Sequence, residues 1–199
     1  MSRGILTTVV GSYPVPEWLR SCPTRQSLTD AIQVVLKTQE DAGIDVVADG
    51  ELYRFDINHP ETNGMIDYFV QKMGGITTDI TRETLAEFRS EPGMKYRAAP
   101  AGIVHSELGE GILNLPGDFE LARPLTRSKL KFTLTGPHML SKVLMDKYYR
   151  EQEGLAMAIG GVLAKQVAHI DADVIQVDEA NIPGHPEEAP WAAAAINTV

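Results

Sequence analysis

The chain holds one cysteine, Cys22, in 199 residues. A single thiol excludes an intrachain disulfide and fits a reducing compartment. No apolar run approaches the ~20 residues that span a bilayer, which argues against a membrane-embedded role. Lys/Arg-rich runs are absent too, and the formal charge is −9. That balance argues against nucleic acid and anionic membrane as partners and reads as a solubility feature. No signal peptide is visible, because Met1-Ser-Arg-Gly runs straight into a strand-like segment, so the cytoplasm is the expected location. There is no low-complexity linker and no repeat beyond an alternation of strand-like and helix-like segments. The apolar content, 43%, is ordinary for a globular chain. The length suits one domain with a sizeable core.

What is present is organised around Asp173-Val-Ile-Gln-Val-Asp178-Glu179-Ala-Asn-Ile-Pro183. A β-branched run that ends in two carboxylates and a Pro/Gly loop reads as a strand buried on both faces. Two earlier stretches repeat the design. Leu6-Thr-Thr-Val-Val ends in Gly11-Ser12-Tyr13-Pro14, and Asp45-Val-Val-Ala ends in Asp49-Gly50-Glu51. Polar residues at the same end of several strands point to one active-site face.

Along the chain, strands are expected at 5–11, 44–48, 95–104, 129–135 and 173–178. Helices are expected at 27–42, capped by Thr24 or Ser27, at 65–72, at 81–90 behind Thr81, at 146–169 and at 187–198. The segment 13–24 reads as a proline-rich loop with Trp18 and Leu19 packed over something. Residues 105–128 read as a hairpin-like excursion. Five strands alternating with helices fit a doubly wound sheet or part of an eight-fold barrel. No G-x-G-x-x-G follows the first strand, which weakens the dinucleotide-binding alternative. Carboxylates at several strand ends favour the barrel. Five of eight units would leave sheet edges bare.

The stretches Thr7-Thr8-Val-Val-Gly11-Ser12-Tyr-Pro14, Asp49-Gly50-Glu51, Tyr96-Arg97, Leu134-Thr135-Gly136-Pro137 and Ile175-Gln176-Val177-Asp178-Glu179 together resemble the cobalamin-independent methionine synthase family. The likeness is to its catalytic C-terminal barrel, in the same order and with compatible spacing. It implies an α/β fold of (β/α)8 TIM-barrel type, incomplete here, with residues 1–199 as the N-terminal portion of one barrel domain holding about five β/α units. It also implies methyl or alkyl transfer to a small thiol, with a homocysteine-like acceptor giving methionine.

By the same resemblance, Val10, Gly11, Ser12, Glu51 and Asp178 would bind the thiol substrate. Backbone N–H groups and a hydroxyl at a tight turn suit a carboxylate, and two carboxylates suit an ammonium group. Taken alone, these residues equally describe a plain Gly-Ser turn and salt-bridged strand-end acids. Arg97 and Ala98 fall where the family contacts its folate donor, and an arginine there could meet an anion or form a surface ion pair. His138 is either a further polar contact or a satisfied loop histidine. Asp49 and Glu179 read instead as structural partners.

The departures from the family are as informative. Its zinc is bound by a His-x-Cys pair, a glutamate and a second cysteine, and this chain has no His-x-Cys and one cysteine. It therefore supplies no catalytic group and no metal ligand of its own. Either a second chain or a missing C-terminal half is expected to bring the zinc ligands and close the barrel. Leu140-Ser-Lys142-Val143 replaces the aromatic residue that folate-dependent members carry, and Asp178-Glu179-Ala180 replaces Asp-Glu-Pro. The methyl donor, folate or a corrinoid protein, stays open. So do transfer to another thiol such as coenzyme M and a non-catalytic small-molecule-binding subunit.

Overall fold

The computed structural model describes residues 4–60, 62–91 and 97–199. The helices are α1 (Glu17–Ser21), α2 (Arg25–Asp41), α3 (Asp67–Val70), α4 (Arg82–Ser90), α5 (Leu115–Ala122), α6 (Pro137–Lys142), α7 (Gln152–Val167) and α8 (Ala189–Ile196). The strands are β1 (Val46–Ala48), β2 (Gly74–Thr77), β3 (Ile103–Gly109), β4 (Lys129–Thr135), β5 (Met145–Asp146) and β6 (Val174–Asp178). The caps follow local chemistry: the Thr24 hydroxyl accepts from Ser27 N at 3.1 Å and the Thr81 hydroxyl from Thr84 N at 3.2 Å. Each satisfies an N–H that the first helical turn leaves unpaired.

The chain divides into two compact units. The first comprises Met1–Gly64, Leu115–Leu134 and Ile170–Gln176. It carries most of a sheet in the order β1-β4-β6, in which β1 and β4 run parallel with Val47 opposite Leu130. From its second residue onward β4 is buried at every position, as expected of a strand covered on both faces. Ile32, Val35 and Leu36 of α2, with Val47, Phe119, Leu130 and Phe132, form the core at 0–1% exposure. Phe119 meets Phe132 edge-on at 6.1 Å. Burial of each such side chain contributes about 1.5–3 kcal/mol.

The second unit comprises Met65–Asn114, Thr135–His169 and Val177–Val199. Its sheet runs β2-β3-β5, antiparallel between β2 and β3 and parallel between β3 and β5. Leu140, Leu155, Ile159 and Leu163 are fully buried between α6 and α7. A Cβ on Gly160 would lie 2.8 Å from the Ala195 carbonyl, so α7 and α8 pack at a distance only glycine permits. Among the described residues, no helix is long and apolar enough to cross a membrane.

Several expected elements are corrected. The strand at 5–11 reduces to one parallel bridge, Thr8 with Val46. Ile5 and Leu6 are 92% and 66% exposed, so this apolar run gains no burial. Side chains hold it instead: Asp45 accepts from Thr7 N and Oγ1 at 2.8 Å, and Lys131 donates to the Val9 carbonyl. Of the strand expected at 95–104, residues 95–96 lie outside the described residues, and the strand itself begins only at Ile103, beyond Pro100. Its partner β2 begins with Gly74-Gly75, where a bulge brings backbones together. A Cβ on Gly75 would meet the Glu107 carbonyl at 2.5 Å.

The excursion at 105–128 is not a hairpin, since β3 runs on to Gly109 and α5 follows. The long helix starts at Gln152 rather than 146, after β5, and α8 is shorter than expected. Helices α1 and α6 form where loops were expected. The segment expected as a third parallel strand belongs to the other sheet, so β1 neighbours β4 directly. Among the described residues, this sheet is made by the bridge at Thr8 together with β1, β4 and β6.

Candidate functional site

The turn after β1 is built from side chains as much as from backbone. Ala48 ends the strand with both backbone groups satisfied by Gln39 of α2, whose amide accepts from Ala48 N and donates to Ala48 O, each at 2.8 Å. Gly50 and Glu51 then take successive left-handed conformations, φ 80° and 60°. For a non-glycine residue this costs roughly 1–2 kcal/mol. Asp49 Oδ1 holds the turn by accepting from Glu51 N at 2.8 Å. A Cβ on Gly50 would meet the Tyr13 Cβ at 2.9 Å, and Tyr13 N donates to the Gly50 carbonyl at 3.0 Å.

That contact brings the Gly11-Ser12 turn onto the Asp-Gly-Glu turn. Ser12 Oγ donates to Glu51 Oε2 at 2.8 Å, and Arg54 Nη1 donates to the same oxygen at 2.7 Å. Arg54 Nη2 reaches the Thr133 carbonyl of β4. Glu51 and Arg54 are both buried. Glu51 Oε1 accepts from no described residue. Glu51 lines a pocket of about 150 Å³ together with Ser12, Tyr13, Arg54, Asp56 and His59. A buried carboxylate with one oxygen saturated and the other open is a ready acceptor for a ligand cation.

The electrostatics around Arg54 are those of one cation among several acids. Burial pushes the Asp49 carboxyl up to about 6, against the Glu51 N–H and the Arg54 charge that hold it down. Burial pushes Asp118 of α5 up to about 7, with Arg54 opposing and Asp49 reinforcing. Burial also raises the Tyr53 phenol well above its ordinary value. Burial disfavours the Arg54 charge, but Tyr53, Glu51 and Asp49 outweigh it and the net shift is upward. The guanidinium therefore stays charged. Arg54 and Asp118 were not among the residues singled out from sequence. The spacing of Glu51 and Arg54 at i,i+3 was a usable signal, whereas nothing marks Asp118.

The other expected residues lie as follows. In the first unit, Val10 is 76% exposed, and Gly11 has φ 96° with open space around it. In the second unit, Asp178 is half-buried at the end of β6, where its carbonyl accepts from Gly136 N at 2.8 Å. Glu179 accepts from the backbone N–H groups of His138 and Met139 at 2.7 and 2.8 Å. It thus caps the start of α6, a structural role. A Cβ on Gly136 would overlap that carboxylate.

His138 is fully buried, with Nε2 2.8 Å from Glu188 Oε2 and its ring 4.7 Å from that of Trp191. Lys142 donates to the other oxygen of Glu188 at 2.8 Å. Arg97 makes a two-pronged pair with the buried Asp67, at 2.9 and 3.2 Å. Ala98 is exposed, and its carbonyl accepts from Arg89 Nε at 3.3 Å. Tyr96 lies outside the described residues.

A zinc site of this family's kind needs thiolate and imidazole ligands converging on one point. Among the described residues, one group brings ligand atoms within 4.8 Å of one another: His185, Glu187 and Glu188. It contains no thiolate, and Glu188 is already engaged by His138 and Lys142. The one cysteine is exposed beside α1. These residues do not fit a thiolate-rich zinc site.

Residues 5–194 match the profile of the cobalamin-independent synthase catalytic domain. A methionine synthase of Sulfurisphaera tokodaii is 29% identical over 207 residues, an overlap of 96% of this chain and 56% of the relative. One of Sulfolobus acidocaldarius is 28% identical over 206 residues, with the same shares. A solved B12-independent methionine synthase from Shewanella sp. W3-18-1, in complex with selenomethionine, superposes with a TM-score of 0.73 at 22% identity. That likeness of fold covers 97% of this chain and 57% of the solved one. The chain spans a little over half the length of the relatives it matches.

Proposed function

Because the chain belongs to the cobalamin-independent synthase catalytic-domain family, we propose that it carries the amino-acid-binding part of a methionine-synthase-type methyltransferase. The acceptor is a homocysteine-like thiol amino acid. The observation that carries this reading is Glu51: a buried carboxylate at a strand end, with Oε2 taken by Ser12 and Arg54 and Oε1 open. An ammonium group supplies what that oxygen lacks. The exposed Gly11-Ser12 turn offers backbone N–H groups to the acceptor's carboxylate.

In the transfer, the acceptor's sulfur forms a bond to the donor's methyl carbon as the bond from that carbon to the donor breaks. The thiol proton leaves to a base, and the electron pair of the broken bond stays with the donor. This chain's residues bind and orient the acceptor. The groups that activate the thiol and hold the donor come from a second chain or from further polypeptide. The same polypeptide would cover the exposed edge at Ile5 and Leu6.

The test is an acceptor panel with methyl-labelled folate and corrinoid donors, run on the species purified from its natural source. Label in methionine is the expected result. Label only on coenzyme M, or none with either donor, contradicts the proposal.

A further inference from the structure

Two donors converge on one oxygen of Glu51. Ser12 and Arg54 both bond to Oε2, at 2.8 and 2.7 Å, and no described residue bonds to Oε1. Of the two, Arg54 is the one anchored deep in the fold. Its second nitrogen is fixed on the Thr133 carbonyl of β4, and its guanidinium carbon lies 5.6 Å from the centre of the Tyr53 ring. Tyr53 in turn lies parallel to the core residue Phe132 at 6.5 Å. The carboxylate orientation is thus tied to the sheet through a planar group with fixed donors.

An arginine beside a carboxylate would ordinarily cancel the charge that attracts a cation. Here Arg54 serves more than one acid. Glu51 and Asp49 from the turn after β1, Tyr53 on the same turn and Asp118 from α5 all act on it or respond to it. With the acids ionised, the cluster keeps net negative charge in spite of its arginine.

We propose that Arg54 is a positioning residue, which fixes Glu51 Oε2 so that Oε1 is presented to the ammonium group of an amino-acid substrate. This rests on the amino-acid reading of the site. It has a consequence in pH. Asp49 and Asp118, held by burial at about 6 and about 7, ionise as pH rises from about 5 to about 8. The cluster becomes more negative over that window, so ammonium affinity rises. Removal of Arg54 takes away the cation that holds both acids down, and the rise then moves to higher pH. A residue that only filled space would not move that profile.

The experiment is calorimetric titration of the full protein with L-methionine and with methylthiobutanoate, its analogue without the amino group. It compares wild type, Arg54→Gln and Arg54→Lys between about pH 5 and about pH 8. Wild type is expected to prefer L-methionine. Arg54→Gln is expected to lose about tenfold or more of that preference, as for loss of a charged hydrogen-bond partner, with its pH midpoint displaced upward. Arg54→Lys should restore part of both.

An Arg54→Gln protein with unchanged preference and profile overturns the inference. Should that variant not fold, Arg54→Lys keeps the charge but loses the planar two-nitrogen fork that spans Glu51 and the Thr133 carbonyl, and a preference and profile equal to wild type there overturn it equally. A wild type without preference for L-methionine contradicts the amino-acid reading itself, and it does so before any variant is compared.

Discussion

Ser12 donates its hydroxyl to Glu51 at 2.8 Å across a separation of 39 positions. The bond joins two turns, one after the single-bridge segment at Thr8 and one after β1. It sits where the polar ends of two neighbouring parallel positions meet, as in other α/β sheets.

Gly50 is the first test of the junction. Its φ of 80° and the 2.9 Å approach of Tyr13 Cβ leave no room for a side chain. Gly50→Ala is expected to lower stability by about 1–3 kcal/mol, read as a shift in the urea midpoint. An unchanged midpoint would show that the turn relaxes freely.

Asp49 gives stability a pH signature. Its folded carboxyl, raised from 3.8 to about 6, keeps its proton where the unfolded chain has lost it. The folded state thus binds more protons in that window, and stability falls as pH rises from about 4 to about 6. Asp49→Asn cannot titrate there, yet its amide oxygen can still accept from Glu51 N. Urea unfolding at several pH values should show the variant gaining on wild type across the window. Parallel curves would contradict the burial argument.

Glu179 is expected to matter for stability through α6. Its carboxylate satisfies two N–H groups at the helix start, at 2.7 and 2.8 Å. Glu179→Ala should cost about 1–2 kcal/mol, seen in thermal or urea unfolding. A cost near zero would mean that water replaces the cap without loss.

Much of this was legible in the chain, for identifiable reasons. β4 and β6 read correctly because runs such as Lys129-Leu-Lys-Phe-Thr-Leu-Thr135 end in turn residues, and Thr24 and Thr81 were recognisable caps. The Asp49-Gly50-Glu51 turn announced itself through its glycine. β2 was hidden because Gly74-Gly75 reads as a turn, whereas those glycines allow close backbone approach at a bulge. The segment 5–11 misled because an apolar β-branched run gives no sign of whether a partner covers it. Ile5 and Leu6 are exposed.

At the site, the sequence singles out Glu51, and only the i,i+3 spacing points from it to Arg54. Asp118 comes near Arg54 only through the packing of α5. Arg97 and His138 each left two readings open in the sequence, a ligand contact or a satisfied internal partner; the fold pairs Arg97 with Asp67 and His138 with Glu188.

The most direct measurement is the affinity of the full protein for L-homocysteine, wild type against Glu51→Gln. The amide keeps the size of the side chain and its bond from Ser12 while removing the charge. Wild type is expected to bind and the variant to lose about tenfold or more in affinity, as when a charge-assisted partner is removed. Equal affinity in the two proteins would contradict the amino-acid reading.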